Sequence, residues 1–171
     1  EARAAVSRME SSRSPSGELS PWVDEVALGQ TYSLLGEMAL AERAFEHVIR
    51  DAPSDPHPYE AWGAALLATG HPSEAISKLN LAIERGPRWA DPKEEMGEAL
   101  AALHRPREAI SYYQQAELFA PKWAALHVHW GEALDAVGDR RHAMAQYQLA
   151  SELELSAADK TKVDARLKAL Q

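Results

Sequence analysis

Residues 59–85 read YEAWGAALLATGHPSEAISKLNLAIER, and the spacing of their apolar positions decides the fold. Tyr59 to Thr69 carries Ala61, Leu66 and Ala68 at helical intervals, and Ser73 to Arg85 carries Ala75, Ile76, Leu79, Ala82 and Ile83. Gly70-His71-Pro72 stands between them as a short turn, with the glycine where the first helix must end. The stretch therefore predicts two amphipathic helices folded back on each other.

Moving outward, the same arrangement recurs. Glycines fall at Gly29, Gly63, Gly97 and Gly131, each 34 residues from the last, and alanines repeat at Ala41, Ala75, Ala109 and Ala143. The chain has only 9 glycines, so four in one register are a pattern and not an accident. A third column is large and apolar (Phe45, Leu79, Tyr113, Tyr147), and a fourth precedes each glycine (Leu28, Trp62, Met96, Trp130). Prolines close the first three units at Pro53, Pro87 and Pro121. Gly36, Gly70 and Gly138 mark equivalent turns, with His104 standing in the third unit, while Asp91-Pro92 and Asp139 mark helix starts. Small residues belong where two helices cross closely, and the large column is expected to fill the space between one pair and the next.

These columns resemble the tetratricopeptide repeat family, whose 34-residue period and small, small, large and proline positions are all present. The resemblance covers four consecutive units, at residues 22–55, 56–89, 90–123 and 124–157. It departs at the family's first aromatic column, which here reads Glu25, Tyr59, Lys93 and His127. An all-α fold is implied, a right-handed α-solenoid of antiparallel helix pairs. Residues 158–171 are expected to form a C-terminal capping helix, opened by a capping box from Ser156 to Asp159. Val163, Leu167 and Leu170 share its apolar stripe, and Lys160, Lys162, Arg166 and Lys168 are expected to solvate the other side. Residues 1–21 read as a short helix and a serine-rich linker, and Glu1 in place of Met suggests a fragment or a processed chain.

Composition narrows the function. The 171 residues include 18 Lys+Arg against 26 Asp+Glu, a net charge of -8, which disfavours a nucleic-acid groove. No apolar run is long enough for membrane insertion. Cysteine is absent, which removes disulfides, thiolate metal sites and thiol nucleophiles. None of the seven histidines sits in a His-Glu-x-x-His arrangement. His129 and Glu132, three apart on one helix face, approach a metal only loosely even with Glu95 or Glu98 added. No phosphate loop or nucleophile elbow occurs. No catalytic residues, metal or cofactor are therefore expected.

The resemblance implies that the first helix of each pair lines a concave surface that grips a peptide or a helix. Spacing then assigns the residues of that wall. In the first two units it carries Val26, Gln30, Glu60 and Ala64; in the last two it gathers Glu94, Glu95, Glu98, His129, Glu132 and Asp135, with Asp91 at the rim. The chaperone-binding members' carboxylate clamp of Lys, Asn and Arg is not matched, since the corresponding positions are Val26, Gln30, Ala61, Glu94 and Glu98. Trp89 and Trp123 follow Arg88 and Lys122 at equivalent junctions and serve either as partner anchors or as packing between units.

The expectation is a non-catalytic scaffold that takes a peptide or amphipathic helix, basic to match the acidic wall, from another protein. The alternatives are self-association through the apolar first units (Val23, Val26, Leu34) and the recognition arm of a larger glycosyltransferase or sulfotransferase. Cytoplasm is the default location, with periplasm open.

Overall fold

The structure, a computed structural model, describes residue 3 and residues 21–170. Every regular element among them is an α-helix. The chain divides into two compact units, Glu1–Pro87 and Arg88–Gln171. In the first, α1 (Pro21–Leu34) pairs with α2 (Met38–Asp51) and α3 (His57–Ala68) with α4 (Pro72–Arg85), while α1 and α2 both touch α3. In the second, α5 (Asp91–Ala102) pairs with α6 (Pro106–Glu117), and α7 (Ala124–Ala136) with α8 (Arg140–Ser151). Helix α9 (Ala157–Leu170) lies on α8 and reaches α7, which runs beside α5.

One turn geometry makes all four pairs. Gly36, Gly70 and Gly138 have φ of 74°, 79° and 83°, and His104 takes the same left-handed conformation at 58°. The next amide then reaches back to a carbonyl in the last turn of the first helix: Glu37 to Tyr32, His71 to Leu66, Arg105 to Leu100 and Asp139 to Leu134, all at 2.8–2.9 Å. This bond satisfies a carbonyl that the helix end leaves free and aims the chain back along the helix it has just left.

The repeating columns meet inside each pair. A β-carbon added at Gly63 would lie 2.6 Å from Leu79 Cδ2, and one at Gly131 would lie 2.7 Å from Tyr147 Cε1. Gly29 faces Phe45 and Gly97 faces Tyr113 in the same way. The large residue thus fills the notch left by the glycine of its own pair, which corrects the expectation that this column packs between pairs. Phe45 does both, because its ring also stacks on Trp62 at 5.4 Å between centroids.

The departing column is buried throughout: Glu25, Tyr59, Lys93 and His127 are all under 7% exposed. Burial demands partners. Tyr59 donates to the Pro53 carbonyl at 3.4 Å, Lys93 to the Trp89 carbonyl at 2.8 Å, and a ring nitrogen of His127 lies 3.0 Å from the Pro121 carbonyl. Glu25 lies 3.6 Å from His47.

At the helix starts, Asp139 caps α8 by accepting from the His142 amide at 3.3 Å. Asp91 caps nothing; Ala90 holds that position and Asp91 is the first residue inside α5, where its charge suits the helix dipole. The Ser156–Asp159 box forms as expected, with the Asp159 amide 3.1 Å from Ser156 Oγ. The helix and linker expected over residues 1–21 fall outside the described residues, apart from Arg3, which bonds Glu37 at 3.1 Å, and Pro21, the first residue of α1.

Candidate functional site: an acidic groove between α5, α6 and α7

Helix α5 carries Glu94 and Glu98 four residues apart, which places both on one face. Helix α7 turns His129 and Glu132, three apart, toward them. His129 Nδ1 forms a hydrogen bond with Glu94 Oε1 and lies 3.1 Å from Glu98 Oε1. The Glu94 side chain is only 6% exposed, so this imidazole is what compensates its lost hydration.

The electrostatics follow from the crowding. Burial disfavours the protonated form of His129, yet the Glu94 hydrogen bond and the charges of Glu94, Glu98 and Glu132 outweigh it, and its pKa is raised. Burial also lifts the Glu98 carboxyl above its usual range, helped by Glu94 and opposed by His129. Tyr113, 1% exposed, has its phenol raised by burial and then by Glu94, Glu98 and Glu132. In front of these groups opens a groove of about 510 Å³, lined among others by Glu98, Ala101, Tyr113, His129, Glu132 and Ala136.

Lys160, Lys162, Arg166 and Lys168 of α9 are all exposed, and two of them also reach across to α7. Lys162 Nζ lies 2.8 Å from Glu132 Oε1, and Arg166 lies 3.6 Å from Asp135. These two residues are four apart on α9 and match Glu132 and Asp135, three apart on α7. The acidic wall is therefore partly neutralised from within the chain.

The structure brings Glu94, Glu98, His129, Glu132 and Asp135 onto neighbouring helices of the second unit. Glu94 differs from expectation in being buried and paired. Asp91, in the first turn of α5, and Glu95 are partly buried and stand outside the His129 cluster. In the first unit, Gln30 is exposed on α1, Val26 is partly buried there, and Glu60 and Ala64 are partly buried on α3. Ser33 on α1 is 2% exposed and donates to the Gly29 carbonyl. Trp89 and Trp123 are both partly buried, Trp123 at the N-terminal boundary of α7.

Tyr113, Lys162 and Arg166 escaped the sequence reading of the site. The i,i+4 spacing of Lys162 and Arg166 opposite an acidic helix was the available signal. Among the described residues, ligand atoms of Glu94, Glu98 and His129 lie within 4.8 Å of one another, close enough to hold a metal ion. Spacing had offered Glu132 with Glu95 or Glu98; the burial of Glu94 beneath His129 changes the set.

Helix pairs on a 34-residue period, joined by identical turns and notched by glycine, define a helical repeat protein. Residues 26–55 match the tetratricopeptide repeat family, and all four helix pairs repeat on the same 34-residue period. Solved structures agree on the fold. TTC0263, a thermophilic TPR protein of Thermus thermophilus, is 20% identical with a TM-score of 0.72, covering 99% of this chain and 90% of that one. MamA from Desulfovibrio magneticus RS-1 is 20% identical with a TM-score of 0.71, covering 89% and 85%. Yeast Tom70 is 14% identical with a TM-score of 0.84, covering 99% of this chain but 36% of Tom70. No curated protein sequence gives a significant match.

Proposed function

We propose that this chain is a non-catalytic interaction scaffold that binds a basic peptide or amphipathic helix of a partner protein along α5 and α7. The observation that carries this reading is the pairing of Lys162 with Glu132 and Arg166 with Asp135. A helix with cations four apart already satisfies half of the acidic wall, and Glu98, 40% exposed, extends it toward the groove. The small lining side chains Ala101, Ala133 and Ala136 leave room for a backbone to approach.

The test is fluorescence anisotropy of the full chain with a labelled helical peptide carrying Lys and Arg four apart, beside a charge-reversed peptide. Binding of the basic peptide alone, weakening as salt rises and in a Glu98→Lys/Glu132→Lys variant, is the expected result. Equal binding of both peptides, or none, overturns it. Glu94 is left intact because a lysine there would bury a cation against His129.

A second reading, self-association of the first unit, is favoured by Leu34, 72% exposed at the end of α1. Light scattering across a concentration series tests it; a mass that stays at one chain removes it.

A further inference from the structure

We propose that Glu94, Glu98 and His129 form a binding site for a divalent transition-metal ion of the zinc class. Three observations support it. The donor set mixes one imidazole nitrogen with carboxylate oxygens, which suits zinc, cobalt or nickel better than calcium, an ion that wants six to eight oxygens. The three ligand atoms already converge within 4.8 Å from two packed helices, so little rearrangement is needed. Glu94 is held in place by burial, and Glu98 follows it by one helical turn.

Tyr113 stands on the same groove as two of the three ligands. Its ring edge lies over the α-carbon of Gly97, the residue beside Glu98, and lines the same groove as Glu98, His129 and Glu132. It is 1% exposed, and its phenol feels the charges of Glu94, Glu98 and Glu132. A hydroxyl so placed can hold a metal-bound water. Lys162, by holding Glu132 back at 2.8 Å, keeps a fourth carboxylate close without crowding the three.

Binding exchanges the Nδ1 proton of His129 for the metal and releases that proton to solvent. The two carboxylates stay ionised, and the groove side of the ion stays open to water.

Cobalt(II) titration of the full chain, freed of metal by chelator and followed by visible absorption, tests the site. The expected result is one equivalent bound with a low-symmetry spectrum and displaced by zinc. Glu98→Gln should weaken binding at least about ten-fold, His129→Gln should abolish it, and Glu108→Gln on α6 should leave it unchanged. No saturable cobalt binding by the parent overturns the site, as does equal binding by parent and both site variants. Should His129→Gln fail to fold by circular dichroism, the half-exposed Glu98 variant decides. The titration contains no peptide, and the peptide experiment runs in chelator, so either proposal can fail alone.

Discussion

Lys162 Nζ and Glu132 Oε1 are 2.8 Å apart, so the last helix of the chain places a cation on the wall that the repeats build. Both side chains are partly exposed, 46% and 38%, and such a pair is worth about 0.2–1 kcal/mol. If a basic partner uses the same carboxylate, Lys162 competes with it. Lys162→Ala should therefore raise affinity for the basic peptide about two- to five-fold and leave thermal stability nearly unchanged. Unaltered or weaker binding would mean that Glu132 does not face the partner.

His129 links α7 to the buried Glu94 of α5. His129→Gln should destabilise the second unit by about 3 kcal/mol in urea unfolding, because it strands a buried carboxylate beside Glu98. Adding Glu94→Gln should restore part of that loss, as a double-mutant cycle would show.

The pH dependence of that link has a definite sign. The groups facing His129 are Glu94, Glu98 and Glu132, and they raise its pKa in the folded chain against the pull of burial. The stability it contributes is then fully present below the ordinary histidine value of about 6.5 and is lost as pH rises through the raised one. Unfolding with chelator present, parent against His129→Gln, should show a gap that narrows with rising pH. A gap that widens with pH would refute the assignment.

His104 sits at φ 58° where the other three turns use glycine. A non-glycine residue there costs about 1–2 kcal/mol, partly offset by up to about 1 kcal/mol of added freedom when glycine is unfolded. His104→Gly should stabilise the chain by about 0.5 kcal/mol, read as a small rise in urea midpoint. The side chain is exposed, so no packing is lost.

Gly97→Ala should act in the opposite direction. Its β-carbon would press on the Tyr113 ring, which is only 1% exposed. A loss of about 1–3 kcal/mol is expected, typical of overpacking. An unchanged midpoint would show that α5 and α6 can separate.

Much of the fold was legible because its determinants are local and repeated. Four glycines in register, four turns and a capping box each dictate backbone within a few residues, and Gly70 or Ser156 needs no knowledge of distant chain. The groove was legible only in part. Glu98, Glu132 and Asp135 share a side by spacing alone, but spacing cannot say that Glu94 lies beneath His129 and loses its solvent. Nor could it tell that Lys162 and Arg166 reach Glu132 and Asp135, since that depends on how α9 docks on α8 through Val163. Polarity at a helix surface marks exposure only until another helix arrives.

The buried column of Glu25, Tyr59, Lys93 and His127 has a consequence for modularity. At the glycine, alanine and turn positions the units repeat, but here each one fills the same buried position differently, with a carboxylate, a phenol, an ammonium or an imidazole. Tyr59, Lys93 and His127 each reach a carbonyl in the segment just before their own helix, yet no two do so with the same side chain. Tyr59 and His127 reach a proline carbonyl six residues back and Lys93 a carbonyl four residues back. The third unit exchanged with the second or fourth would therefore meet a different spacing. That unit is thus keyed to its position, and the order of an outwardly interchangeable series is written in its least repetitive interior site.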